Sequence, residues 1–427
     1  MQRRQFMKHL GTGALASTPA IQYAYNSTVI QELSQYRSEQ DVTEDETFWH
    51  WVRQAYTITP GLINLNNAGV SPQTRRVQEA EIRYIEFSNE TPSHYMWKVI
   101  NKNREPIRQQ LAQLCGASQD EIAINRNATE ALDTIIFGLD LDKNDEVVAC
   151  KQDYPLMIHA WNQRSQREGI ELKWVDLKMP IEDEGAIIQA YTSLFTHRTK
   201  VVHLTHMINW TGQILPVKKI AAIAKERGIK VVVDAAHSFA QLDFKLADLG
   251  ADYAGVSLHK WLCAPFGTGM LYVKKENIAD LWPLFPTDKP KSDDIRKFEN
   301  LGTRSTAAEM AIGHAIEFHE LIGASRKAAR LQYLKSYWVE KALEIPQFRL
   351  YTSLNPQYGG AIVCCGLEGM RYVDLFNNLF KYHRIHTSPV KWDGVEGLRI
   401  TPNVYTSLKE LDKLVEALKI LADSVKR

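Results

Sequence analysis

Val231-Val232-Val233-Asp234-Ala235-Ala236-His237-Ser238 opens as a β-branched run and closes on an acid, and its reading decides the fold. With Ile229 ahead of it, the run has the pattern of a strand covered on both faces, as in a parallel sheet between helices. The preceding residues agree. Leu215 to Arg227 reads as a helix with Val217, Ile220, Ala221 and Ala224 on one face, stopped by Gly228. Working outward, Asp145–Cys150 and Lys200–Leu204 read as strands upstream, and Ala251–Ser257 and Gly269–Val273 as strands downstream. Residues 105–275 are therefore predicted to be α/β, a mostly parallel sheet with helices on both faces.

Chemistry gathers at the ends of two of these strands. Asp234 closes its strand at the carboxyl edge, where open α/β sheets place ligands. Ser257-Leu258-His259-Lys260 closes the next strand and runs into Pro265-Phe266-Gly267-Thr268-Gly269. A lysine there is costly to bury unless it is paired, functional or neutral. An acid and a lysine at neighbouring strand ends fit pyridoxal 5′-phosphate (PLP) chemistry. The lysine forms a Schiff base with the aldehyde, and the carboxylate keeps the pyridine nitrogen protonated so that the ring accepts electrons.

The two segments closely resemble the class V aminotransferase family of fold-type I PLP enzymes, and the resemblance runs from about residue 60 to 422. It implies the PLP-dependent transferase fold: a large domain with a seven-stranded-type sheet, and a smaller C-terminal α+β domain. It also implies roles. Lys260 carries the cofactor, Asp234 partners the pyridinium nitrogen, His237 lies near the phenolic oxygen, and Ser257 and His259 lie on the phosphate side. Asn127-Ala128-Thr129-Glu130 opens an amphipathic helix, and a helix N-terminus with a hydroxyl suits a phosphate, so Ala128 and Thr129 are expected there. Tyr154 matches the aromatic that stacks on the ring, and Asn209 the amide that bonds the cofactor oxygen. Thr303, in Gly302-Thr303-Arg304, matches the residue that reaches the neighbouring subunit's phosphate, which implies a homodimer with shared active sites. Arg399 matches the arginine for the substrate carboxylate, a role its planar fork suits.

Within the family the chain looks most like the isopenicillin N epimerase-like subgroup, from Asn66-Asn67-Ala68-Gly69 and from Pro92-Ser93-His94-Tyr95 read as a substrate loop. Family members that desulfurate cysteine need a mobile cysteine shortly before the carboxylate arginine, and residues 366–399 contain none. The expected activity is PLP-dependent chemistry at the α-carbon of an amino acid or amine, of aminotransferase or epimerase type. A lyase acting on a β-substituted amino acid is the alternative, and a non-catalytic PLP-binding protein a remote one.

The remaining chain is read in three parts. Arg3-Arg4 ahead of a short apolar run, Leu10 to Ala20, resembles a twin-arginine export segment over residues 1–25 and implies a periplasmic protein, with the cytoplasm as the alternative. A segment at 40–59 is expected to pack on the large domain, 60–305. The small domain, 306–427, should hold a long helical stretch from Ala307 to Val339, strands near Phe348–Tyr351 and Ala361–Cys364, and a last helix. That helix is capped by Ser407 and Glu410, with Leu411, Leu414, Leu418 and Leu421 as its stripe.

Composition narrows the partners. A net charge of +1 over 427 residues suggests neither nucleic acid nor an anionic membrane surface. The five cysteines have no zinc-like spacing, no metal is expected, and Cys364 and Cys365 read as buried strand residues.

Overall fold

The computed structural model describes residues 28–36, 41–392 and 394–425, so the expected export segment lies outside the described residues. Strands are numbered in chain order. After the short β1 (Ile63–Asn64), the main sheet comprises β2 (Ile122–Asn125), β3 (Glu146–Cys150), β4 (Glu171–Val175), β5 (Thr199–Thr205), β6 (Lys230–Asp234), β7 (Tyr253–Ser257) and β8 (Gly269–Val273). These seven strands lie in the order β2-β8-β7-β6-β5-β3-β4. The sheet is mostly parallel, as expected, with β8 running against both of its neighbours.

Alternation along the strands sorts side chains onto two faces. Val201 and Val232 point to the layer formed by α4 (Ala128–Gly138) and α5 (Pro155–Glu168). Val202, Val231 and Val233 point to the other layer. It is built from α3 (Asn101–Cys115), α6 (Glu184–Thr192) and α7 (Val217–Glu226), with α1 (Glu46–Gln54) and α2 (Arg75–Glu90) on the same core. α7 buries the Val217, Ile220, Ala221 and Ala224 face read from the sequence.

The stretch Ala307–Val339 is corrected in one respect. It forms two helices, α8 (Thr306–Ile322) and α9 (Ala324–Leu343), broken at Gly323, whose φ of 91° lies in the region that favours glycine. α8 buries Met310, Ile312 and Ile316 in the core beneath the main sheet, and Leu331 of α9 reaches the same core. The C-terminal body is an antiparallel sheet, β12-β13-β10-β9, of β9 (Phe348–Leu350), β10 (Val363–Leu367), β12 (Ser388–Trp392) and β13 (Val395–Ile400). β11 (Ile385–His386) pairs instead with β1. α10 (Tyr372–His383) and α11 (Leu408–Val425) pack here, and α11 buries Leu411, Leu414, Leu418 and Leu421. The capping box forms, with the Ser407 N–H donating to Glu410 at 2.9 Å. Glu410 also accepts two bonds from Arg53, which ties α1 to the small domain.

One buried residue gives a test of the layered core. His203 of β5 is fully buried, and its ring stands edge-on to Trp161 of α5, with centroids 6.3 Å apart. Burial pushes its imidazole down to about 4, and that of His206 likewise to about 4. Folded values below the unfolded one of roughly 6.5 confer stability that is full above pH ~6.5 and lost as pH falls toward ~4, about 3 kcal/mol per residue. The Asp153 carboxyl, raised to about 7 by burial, acts in the opposite sense, so the informative quantity is a difference between variants. His203→Phe, which keeps a ring against Trp161 and takes no proton, should be about 3 kcal/mol less acid-sensitive than the wild type between pH 7 and 4. Equal losses in urea unfolding for both proteins would contradict this.

Candidate active site

The parallel strands deliver their last residues to one edge of the sheet. β5 ends on Thr205, β6 on Asp234 and β7 on Ser257, and the turn after β7 carries His259 and Lys260. Arg399 of β13 faces them from the small domain. The cleft between has a volume of 290 Å³. Its walls include Ala128, Thr129, Tyr154, Asn209, Asp234, His237, Ser257, His259, Lys260 and Arg399. Residues as far apart in sequence as Ala128 and Arg399 thus meet at one cleft. Thr303 is exposed and outside this cleft. Pro92–Tyr95, read as a substrate loop, is instead part of the helical bend from α2 to α3 and does not line the cleft.

Each side chain is held by its element. Asp234 accepts from the Ala236 N–H at 2.8 Å. Ser257 Oγ accepts from the Ala128 N–H at 3.0 Å, which joins the end of β7 to the start of α4. His259 Nδ1 donates to the Thr268 carbonyl at 3.0 Å. The turn holding Lys260 is pinned by the Ser71 N–H on the His259 carbonyl (3.1 Å) and by the Lys327 ammonium on the Trp261 carbonyl. Lys260 Nζ then lies 3.1 Å from His237 Nε2. Across the cleft, Arg399 Nη1 donates to the Asn209 carbonyl (3.2 Å) and Nη2 to Asn66 Oδ1 (3.1 Å), while its Nε has no partner.

Burial sets the charges. It lowers the Lys260 amine to about 8; Asp234 opposes that shift and Arg399 adds to it. Burial, then the positive charges of Lys260 and Arg399, hold the His237 ring far below its ordinary value, so it is neutral. Burial raises the Asp234 carboxyl, partly offset by the Ala236 N–H and by Lys260.

These residues fit PLP. Asn209 Oδ1 and His237 Nδ1 are buried polar atoms of the wall without a partner, as expected of groups that complete their hydrogen bonds on a ligand. The N-terminus of α4, with Thr129 and Ser257, is suited to a phosphate. Asp234 is suited to a cationic ring nitrogen, and Lys260 to an aldehyde.

Several participants were not foreseen. Thr205 lines the cleft and donates to Asp153 Oδ1 at 2.6 Å; the strand read as ending at Leu204 runs one residue further. Asn66 was quoted only as part of a motif, yet it braces Arg399. Two glycines were also missed. A Cβ on Gly269 would lie 2.5 Å from Asn127 Cα, and one on Gly255 would lie 2.6 Å from Leu132 Cγ. Their bare backbones let the start of α4 settle directly on β7 and β8. Gly269→Ala should push that helix terminus away, lowering PLP affinity roughly tenfold or more and costing about 1–3 kcal/mol of stability. PLP titration alongside thermal unfolding checks both; unchanged affinity would contradict the close-approach account.

A larger cleft of 680 Å³ lies between residues 28–36 and α8, but its Arg76 and Glu317 pair with each other at 2.6 Å and no comparable constellation surrounds them. All five cysteines are buried and none lines the active-site cleft; Cys364 and Cys365 both lie in β10, as the sequence predicted.

The chain is 27% identical to "Isopenicillin N epimerase" of Streptomyces clavuligerus over 390 residues, covering 87% of this chain and 98% of that one. It is 28% identical over 385 residues to a "Probable cysteine desulfurase" of Synechocystis sp., covering 84% and 90%. The solved apo structure of a cysteine desulfurase from Thermococcus onnurineus NA1 superposes with a TM-score of 0.78 at 22% identity, covering 87% of this chain and 98% of that one, a likeness of fold. The family model described as Aminotransferase class-V matches residues 63–389, which include the strand ends and the lysine turn just described. The chain belongs to the aminotransferase class V family, as a PLP-dependent enzyme of fold type I.

Proposed function

We propose that this enzyme works at the α-carbon and amino group of an amino acid, by epimerase or aminotransferase chemistry. The observation that carries the reading is one cleft in which Lys260 Nζ, 3.1 Å from a neutral His237, faces an arginine with an unpartnered Nε. When bound, PLP supplies an electron-accepting ring that acidifies the substrate α-carbon. The chain's residues do the rest. Arg399 takes the carboxylate on its planar fork and fixes which bond faces Lys260. The Lys260 amine, at about 8, is close enough to neutral pH to accept and return a proton, a contribution of about 10²–10⁴-fold. His237 Nε2 holds that amine in place. Asp234 would set a negative charge against the ring nitrogen of bound PLP, and Tyr154 and Met157 close the wall.

The test is exchange of the α-proton in deuterium oxide by the holoenzyme over a panel of amino acids. Exchange with inversion at the α-carbon indicates an epimerase, and release of a keto acid with the amino group retained indicates an aminotransferase. Exchange with none of the panel would refute the proposal. Pyruvate from a β-substituted amino acid would favour the lyase alternative, to which relatives named cysteine desulfurase point; the absence of a cysteine from the cleft wall weighs against desulfuration through a mobile cysteine.

Two further proposals complete this reading. The exposed Thr303 beside Gly302 (φ 79°) suits a reach into a second subunit's site, so the protein is a homodimer; a monomer by sedimentation would refute this. The protein is exported by the twin-arginine route; undiminished periplasmic yield after Arg3→Lys and Arg4→Lys would refute that.

A further inference from the structure

The cofactor cleft does not end at Arg399. A second cavity, of 370 Å³, opens beside it, and Gly69 stands in the walls of both. This cavity is built mainly from the chain between Thr57 and Pro72, and none of the roles assigned so far uses it. Asn66 stands at the junction. Its Oδ1 accepts from Arg399 Nη2 at 3.1 Å, and its Nδ2 lies 3.4 Å from His386 Nε2. One side chain thus links the guanidinium that takes a carboxylate to the throat of the second cavity.

The chemistry of the walls is specific. Most of their polar groups are already engaged, with one another or with residues behind the wall. Asn64 Nδ2 donates to the Tyr405 hydroxyl at 3.0 Å, and that hydroxyl donates to Asn67 Oδ1 at 2.6 Å. Glu410 is held by Arg53 at 2.6 and 2.9 Å and by the Ser407 N–H at 2.9 Å. Burial lowers the His386 imidazole, so it carries no charge at neutral pH. What remains to meet a ligand is chiefly Ile58, Leu62, Val70 and Pro72, with the uncharged Thr59 beside them, a mainly apolar surface with no unpaired charge. Val70 is 44% exposed, so this surface is not part of the core.

Size points the same way. Ligand pockets run to about 300–1,000 Å³. A cleft of 290 Å³ accommodates the cofactor and the α-carbon end of a substrate, with little left for a side chain. The adjoining cavity is where one can go.

Resting on the α-carbon reading above, we infer that the substrate is an α-amino acid with a large apolar side chain. That side chain passes Gly69 and Asn66 into the cavity of Ile58, Leu62, Val70 and Pro72 while the carboxylate lies on Arg399. Leu62 and Val70 are then specificity-determining residues. A charged side chain is excluded because the cavity has no free counter-charge to receive it.

The experiment follows α-proton exchange by the holoenzyme with alanine, glutamine, leucine and phenylalanine, in the wild type, Leu62→Glu and Val70→Trp. Apolar pockets discriminate roughly 10–200-fold per methylene. Leucine and phenylalanine should therefore exceed alanine and glutamine in kcat/KM by about tenfold or more. Leu62→Glu should lower the phenylalanine-to-alanine ratio by about tenfold or more, by placing a charge in the cavity. Val70→Trp, at an exposed position where bulk does not disturb the core, should lower the same ratio by filling the space, and it keeps the test open if the glutamate variant misfolds. No wild-type preference for bulk, or equal losses for every substrate in the folded variants, would overturn the inference. Exchange with alanine but no gain from larger apolar side chains overturns it alone, whereas exchange with none of the four removes the α-carbon reading as well.

Discussion

Lys260→Ala is expected to abolish turnover, by on the order of 10⁴-fold, and to remove the visible absorption that bound PLP gives in the wild type. The amine lies 3.1 Å from His237 Nε2 inside the cleft, and no other lysine stands in the cleft wall to replace it. The loss should be chemical and not structural. The turn that bears Lys260 is fixed by the Ser71 N–H on the His259 carbonyl, by Lys327 on the Trp261 carbonyl and by the Leu258 N–H on the Thr268 carbonyl at 3.0 Å. None of these uses the Lys260 side chain, so the thermal midpoint without cofactor should stay near that of the wild type. A small primary amine added to the variant should restore part of the rate by supplying the missing base. A variant that kept turnover within about tenfold of the wild type would show that Lys260 is not the base.

Asp234→Asn should cost on the order of 10²–10³ in kcat with the fold retained. The amide matches the carboxylate in shape, and its oxygen can still accept the Ala236 N–H that Asp234 accepts at 2.8 Å. Only the charge is lost. At a position 5% exposed, water does little to replace the charge that would face a cationic ring nitrogen. The charge has a second effect. Asp234 holds the Lys260 amine up against the downward push of burial, so without it that amine falls below about 8. The pH at which apoenzyme takes up PLP should move down with it, a change that simple loosening of the fold would not produce. Rates within tenfold of the wild type for Asp234→Asn would overturn the role given to the carboxylate.

How far the sequence could be read follows from which signals are local. Val231–Asp234 and the helix over Val217–Ala224 were legible because β-branched runs and 3.6-residue periodicity report on a single element. The Ser407–Glu410 box was legible because its partners are three residues apart. β4 was not read: its side chains are half-buried apart from Val175, and Glu171 and Lys173 interrupt any apolar run. β2 is a short strand whose apolar run is no longer than many helical patches. The reversal of β8 left no trace, since a hydrophobic run carries no direction. The break at Gly323 was hidden because the apolar period continues from α8 into α9.

By itself the sequence determined the kinds of group available and the elements that carry them: an acid ending one strand, a lysine just beyond the next, an amide-capped helix start, and an arginine near the end of the chain. Those are local properties of backbone propensity and residue chemistry. Only the tertiary structure decided that Lys260 meets His237 across 23 residues and Arg399 meets Asn66 across 333. Only the tertiary structure joined a second, apolar cavity to the cofactor cleft at Gly69. Such contacts depend on strand order, register and the approach of two bodies. Many arrangements bury the same apolar faces equally well, so the pattern that specifies each element leaves its neighbours open.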